Sequence, residues 1–97
     1  MGKISVRDHT MIAQGDVGYE QAGEFATTFD RFLGKFKTEP AILDLSGARE
    51  LVSPCLASVY EDCRVHRPTE LKVITPRHLS KLFEPGEIEG LYELEKI

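Results

Sequence analysis

The run Ala41-Ile42-Leu43-Asp44-Leu45, left at once by Ser46-Gly47, restricts the fold more than any other feature of the chain. A short apolar run bounded by turn residues is too brief for a buried helix, so it reads as a central strand covered on both sides. After a short polar linker, Ser53-Pro54-Cys55 opens an amphipathic segment that continues to Arg64. Strand, surface loop and helix start form a unit in which α/β proteins place working residues at the strand's carboxyl end. Function is therefore expected in that loop and in the first turn of that helix.

The remaining elements fit around this unit. Ile4 and Val6 alternate within Lys3 to Asp8, and Thr10 to Gln14 carries Met11, Ile12 and Ala13. These read as two strands turning near Asp8-His9, followed by a loop at Gly15-Asp16-Val17-Gly18. From Tyr19 to Phe36, Ala22, Phe25, Ala26, Phe29, Phe32, Leu33 and Phe36 recur with helical spacing, placing four of the five phenylalanines on one face. Packing against a sheet accounts for that stripe without a ligand. Thr38-Glu39-Pro40 ends the helix.

In the next helix Leu56, Val59, Tyr60 and Cys63 form the inward stripe, which leaves Cys55 at the helix's exposed beginning. Leu71 to Ile74 reads as a strand. Thr75-Pro76 opens a helix carrying Leu79, Leu82 and Phe83 that Pro85-Gly86 stops, and Leu91 to Ile97 closes the chain as a strand with a fraying end. The order β-β-α-β-α-β-α-β over residues 1–97 predicts one α/β domain with a small, mixed, mostly parallel sheet and right-handed crossovers.

Charge and composition exclude several classes of function. A formal charge of −4 argues against nonspecific nucleic-acid binding, which needs clustered Lys and Arg. The chain has no apolar run approaching the roughly 20 residues of a membrane span and no signal-peptide core, so a cytoplasmic protein without direct membrane insertion is expected. Gly2 is followed by Val6 where a myristoylation signal needs Ser or Thr.

Cofactor and metal motifs are equally sparse. Neither phosphate-cradling glycine motif is present, and no cofactor is implied. Cys63 and His66 are spaced like half a zinc site without a second pair, and His9 and His78 read as surface polar residues. Cys55 and Cys63 are expected as free thiols, since eight helical residues rise about 12 Å between them. Cys55, placed at a helix N-terminus, is a candidate reactive thiol. Glu84, Glu87, Glu89, Glu93 and Glu95 read as a solvated acidic face that a basic partner could contact.

Ser53-Pro54 and Thr75-Pro76 both resemble helix starts, with the hydroxyl as cap and proline where an amide would go unpaired. Beyond capping, Ala41 to Gly47, Leu51-Val52-Ser53-Pro54-Cys55-Leu56-Ala57 and the amphipathic helix after them resemble the centre of a STAS domain, the fold of bacterial anti-sigma factor antagonists. Met11 to Val17, with Gly15-Asp16-Val17 in place of a Gly-Glu-Leu turn, and Leu71 to Phe83 extend the resemblance over essentially the whole chain.

The resemblance implies a serine switch that this sequence lacks. In the family an Asp-Ser-Ser-Gly segment precedes the second helix, and its second serine is phosphorylated by a partner that is both kinase and anti-sigma factor. Here those positions hold Val52, Ser53, Pro54 and Cys55, and Gly18 stands where an acidic residue often follows the turn. Proline carries no hydroxyl, so only Ser53 is left as a phosphoacceptor candidate, at a helix N-terminus where phosphate is tolerated.

The expected function is therefore non-enzymatic protein–protein recognition. The partner surface is expected to join Gly15, Asp16 and Val17 with Val52, Ser53, Pro54 and Cys55, Ser58 on the following helix, and Thr75 and Pro76 at the edge. Two partner classes follow from the resemblance: an anti-sigma factor or kinase-like ATPase, or a subunit of a lipid-transport or other transporter ATPase. A small-ligand or redox module using Cys55 is the third reading, and a homodimer is compatible with all of them.

Overall fold

The computed structural model describes residues 1–97, beginning with a hairpin and continuing through three crossovers. Lys3–Arg7 (β1) and Thr10–Val17 (β2) pair antiparallel, turning where Asp8 adopts φ 53°, a left-handed conformation that aspartate tolerates better than most residues. A 3-10 turn at Tyr19–Gln21 enters Ala22–Phe36 (α1). Then come Ala41–Asp44 (β3), Ala48–Leu51 (β4), Ser53–His66 (α2), Leu71–Thr75 (β5), Arg77–Ile88 (α3) and Glu93–Lys96 (β6). The expected α/β class, with a mixed and mostly parallel sheet, is what the chain forms.

The strands lie in the order β1-β2-β3-β5-β6, with β2, β3, β5 and β6 mutually parallel. Each crossover therefore steps in the same direction. Right-handed crossovers that never reverse direction deliver every helix to one face of the sheet. Met11, Leu43 and Val73 point to that face and are fully buried beneath Phe25, Phe29, Leu33, Val59 and Phe83. Burying each of these side chains is worth about 1.5–3 kcal/mol.

The expectation that Ala41 to Leu45 is covered on both sides is corrected. Ile42 and Asp44 are half-exposed on the opposite face, beside Ile12 and Ile74. The apolar run was compatible with two covered faces, but the strand order leaves nothing to cover the second.

The polar linker is also corrected. Ala48–Leu51 is strand β4, which pairs parallel with Gly15, Asp16 and Val17. β3 and β4 thus lie end to end along β2, separated by a turn in which the Ala48 amide donates to the Leu45 carbonyl (2.9 Å). Gly15-Asp16-Val17 belongs to β2 instead of a loop, with the register shifting between Gly15 and Asp16. Gly15 holds φ +73° there, which a side chain would strain.

Pro85-Gly86 does not stop the third helix, which runs through both to Ile88. Proline removes one helical hydrogen bond and crowds the preceding turn. Two tyrosine hydroxyls attach to that turn: Tyr60 donates to the Leu82 carbonyl at 2.5 Å and Tyr92 to the Phe83 carbonyl at 2.6 Å. No helix is long and apolar enough to cross a membrane.

Candidate functional site

Parallel strands and right-handed crossovers bring the ends of β2, β4 and β5 and the starts of α2 and α3 to one edge of the sheet. Three polar contacts organise that edge. Arg49 on β4 donates to the Asp16 carboxylate on β2 at 2.9 Å. His78 on α3 contacts the Arg49 carbonyl through Nε2 at 2.8 Å. On α2, the Ser58 hydroxyl donates to the Pro54 carbonyl at 3.0 Å. The Asp16–Arg49 pair is solvent-exposed and adds at most about 1 kcal/mol of stability. It fixes the charge pattern presented to solvent rather than the fold.

Of the residues expected to form the surface, only some reach it. Ser53 and Pro54 are exposed, and Gly15, Asp16, Ser58 and Pro76 are half-exposed. Val17, Val52, Cys55 and Thr75 are buried and contribute from beneath. Cys55 is the clearest correction, since it is fully buried where an exposed thiol was expected. The inward stripe of α2 is Cys55, Val59 and Cys63, with Leu56 and Tyr60 half-buried beside it. Strand β4 leads the chain inward at Leu51-Val52, so the first turn of α2 starts under the sheet's edge. Burial pushes the Cys55 thiol up to about 11, the opposite of an activated nucleophile.

Neither hydroxyl acts as the expected cap. Val52 occupies the N-cap of α2 and Pro76 that of α3, and neither helix has a side-chain cap. Ser53 is the first helical residue, with its side chain outward. The Cys55 and Leu56 amides both donate to the Val52 carbonyl, and Pro54 has no amide. Only the Ser53 amide is left in that turn to meet an anion, so phosphate on Ser53 would gain less than helix termini usually offer. Thr75 ends β5 on the inward face, with its hydroxyl fully buried and without a hydrogen-bond partner.

The Cys63–His66 spacing does not gather a metal site. Cys63 points into the core, with its thiol pushed up to about 12 chiefly by burial. His66 turns to Asp30 on α1 at 2.7 Å. Asp62 beside them is raised by burial first and by Asp30 second, against the lowering effect of His66. No group of three or more His, Cys, Asp or Glu side chains is clustered to hold a metal ion.

A shallow groove between α2 and α3 was not anticipated from sequence. Leu56, Ala57, Tyr60, Val65, Leu82 and Pro85 line it, and charged residues including Glu61, Arg64, Lys81 and Glu89 surround it. Arg64 lies over the Tyr60 ring and pairs with Glu89 at 3.0 Å, so its guanidinium is already engaged. By spacing Leu82 groups with Leu79 and Phe83, yet the structure leaves it exposed while those two are buried. Only the packing of α3 beside α2 makes Leu82 and Tyr60 neighbours. No protein-family model matches this sequence, and comparison with curated proteins finds no match.

Proposed function

We propose that the chain is a non-enzymatic protein-recognition module of the anti-sigma factor antagonist kind, operating without a phosphorylation switch at position 54. The observation that carries this reading is the composition of the carboxyl-end edge. Exposed Ser53 and Pro54 lie along the chain between Arg49, which pairs with Asp16, and Leu56 and Ala57, which begin the lining of the apolar groove. That combination offers apolar contact with a charged margin, as protein-binding surfaces do. It offers no paired nucleophile and base, since the thiol nearest the edge is buried.

Without a hydroxyl at position 54 the module binds constitutively, and its partner is an anti-sigma factor or kinase-like ATPase in the bacterial cytoplasm. Ser58 provides the test. It sits beside Ala57 at the margin of the groove, half-exposed, and its hydroxyl bonds only within its own helix. Ser58→Arg should preserve the helical circular dichroism while weakening partner capture from host lysate by about a hundredfold, or about 3 kcal/mol, because the long charged side chain obstructs docking beside the groove. Unchanged capture would place the surface elsewhere. Recovery of transporter subunits in place of a sigma-pathway protein would replace the regulatory role by an assembly role, and phosphate on Ser53 would restore a switch.

A further inference from the structure

The sheet ends on one side at β1, which pairs only with β2. The hairpin decides which backbone groups of β1 are free. Its turn at Asp8-His9 closes on Arg7 and Thr10, and a two-residue turn makes the closing pair the hydrogen-bonded one. Bonded and non-bonded pairs alternate in an antiparallel ladder, so Lys3, Ser5 and Arg7 bond to β2 while Gly2, Ile4 and Val6 turn N–H and C=O outward. Gly2 is already served: its amide donates to the Gln21 side-chain oxygen at 2.9 Å, and its carbonyl accepts from the Gln21 side-chain nitrogen at 2.6 Å. The outward groups of Ile4 and Val6 meet no loop or side-chain partner. At the opposite margin of the sheet, the Leu94 amide of β6 donates to the Glu87 carboxylate at 2.9 Å.

The β1 margin is basic, although the chain as a whole carries a formal charge of −4. Alternation puts Lys3 and Arg7 on the open face of the sheet. On the helix face Val6, 48% exposed, lines a groove with Thr28, Arg31, Phe32, Lys35 and Phe36 of α1. None of the cations Lys3, Arg7, Arg31 and Lys35 takes part in an ion pair. Asp8 at the turn and Glu24 on α1 are the acidic residues nearest in sequence, and neither lines the groove. Charged side chains on an edge strand guard it against unselected pairing. Arg31 and Lys35 stand on the helix, beyond the strand that such a guard protects.

We propose that the β1 edge binds an extended acidic segment of a partner protein, which adds to the sheet as a further strand. Ile4 and Val6 supply the backbone donors and acceptors, and main-chain bonding of this kind carries the affinity in strand addition. Side chains of the added strand alternate between the two faces. One set stands beside Lys3 and Arg7, and the other enters the groove beside Arg31 and Lys35. Acidic side chains therefore find cations on either face, and a basic segment is repelled from both. A second copy of the chain is disfavoured at this edge, because pairing β1 with β1 sets two basic margins together. The proposal does not rest on the recognition reading of the carboxyl-end edge.

The probe is a fluorescent octapeptide alternating glutamate and valine, with its lysine–valine counterpart as control, titrated with the full chain by fluorescence anisotropy. The acidic peptide should bind with a dissociation constant of about 100 μM or below in low salt and weaken as salt is added. Lys3→Glu with Arg7→Glu, and separately Arg31→Glu with Lys35→Glu, should each weaken it at least about tenfold. All four positions are exposed, and circular dichroism checks that each variant folds. Val6→Pro removes one outward amide without touching a bond to β2, a change that an edge strand tolerates, and should also abolish binding. In the complex, amide hydrogen exchange followed by NMR should slow at Ile4 and Val6. Failure of the acidic peptide to bind at about 1 mM protein overturns the proposal. So does equal binding of the lysine peptide, indifference to both charge reversals, or binding that leaves exchange at Ile4 and Val6 unchanged.

Discussion

Replacing Gly86 by alanine would stabilise most helices by about 1 kcal/mol, because glycine is a poor helix former. In this protein the same change should destabilise. A Cβ at Gly86 would lie 2.2 Å from the Tyr92 hydroxyl oxygen, 2.4 Å from Cζ and 2.6 Å from Cε2. Ordinary contact begins near 3.4 Å, so the ring must retreat by 3.4 − 2.2, or about 1.2 Å. It has little room to do so. Tyr92 is buried, packs edge-on against Phe83 with ring centroids 6.2 Å apart, and donates its hydroxyl to the Phe83 carbonyl. Overpacking of this kind costs about 1–3 kcal/mol, and loss of the buried hydrogen bond about 1–3 kcal/mol more. After the propensity gain the net loss is about 3 kcal/mol, or roughly 12–24 °C in Tm for a domain of this size. Urea unfolding of the wild type, Gly86→Ala, Tyr92→Leu and the double variant forms the assay. Leucine cannot reach the colliding atoms, so in that background alanine should be neutral or stabilising, giving a coupling of about 3–4 kcal/mol. A wild-type-like or raised urea midpoint for Gly86→Ala alone would refute the close-contact argument.

Thr75→Val replaces a fully buried, unpartnered hydroxyl by a methyl group and should stabilise by about 1 kcal/mol in urea melts; a loss of stability would reveal a partner for that hydroxyl. The cysteines predict a response to alkali. Their folded values, about 11 for Cys55 and about 12 for Cys63, stand above the 9.0 of an ordinary thiol. The unfolded chain therefore binds fewer thiol protons over that interval, and stability falls with pH. Their contribution is fully present below about pH 9 and is lost as pH rises through about 11 and 12. Cys55→Ala with Cys63→Ala should flatten that slope relative to the wild type, and an unchanged slope would assign it to other groups. At neutral pH, iodoacetamide should label both thiols only at the rate of unfolding; rapid labelling of the native protein would contradict the burial of Cys55.

The sequence by itself determined the local elements wherever periodicity and chain length left one solution. The phenylalanine stripe of α1 is buried as its spacing requires, and the runs at Ala41 and Leu71 are strands because they are too short to bury as helices. Element alternation then implied crossovers and the α/β class. Along the candidate site, Ser53, Pro54 and Ser58 were legible as accessible loop and helix residues. Cys55 was not, because whether a first-turn residue faces solvent depends on how the chain enters the helix, and that is set by β4 pairing with β2. Ala48-Arg49-Glu50-Leu51 has too few residues to announce a strand; it becomes one only because β2 offers unpaired backbone groups beyond the end of β3. Pro85 misled for a related reason: a proline ends a helix in isolation, whereas here α3 is packed within the fold and runs on to Ile88, with Tyr60 and Tyr92 holding its Leu82 and Phe83 carbonyls. Tertiary structure alone decided which face of the sheet stays open. Hydrophobic runs record that a strand can be buried on two sides, but strand order and the hand of the crossovers dictate where the helices go, and that choice is written in no single segment.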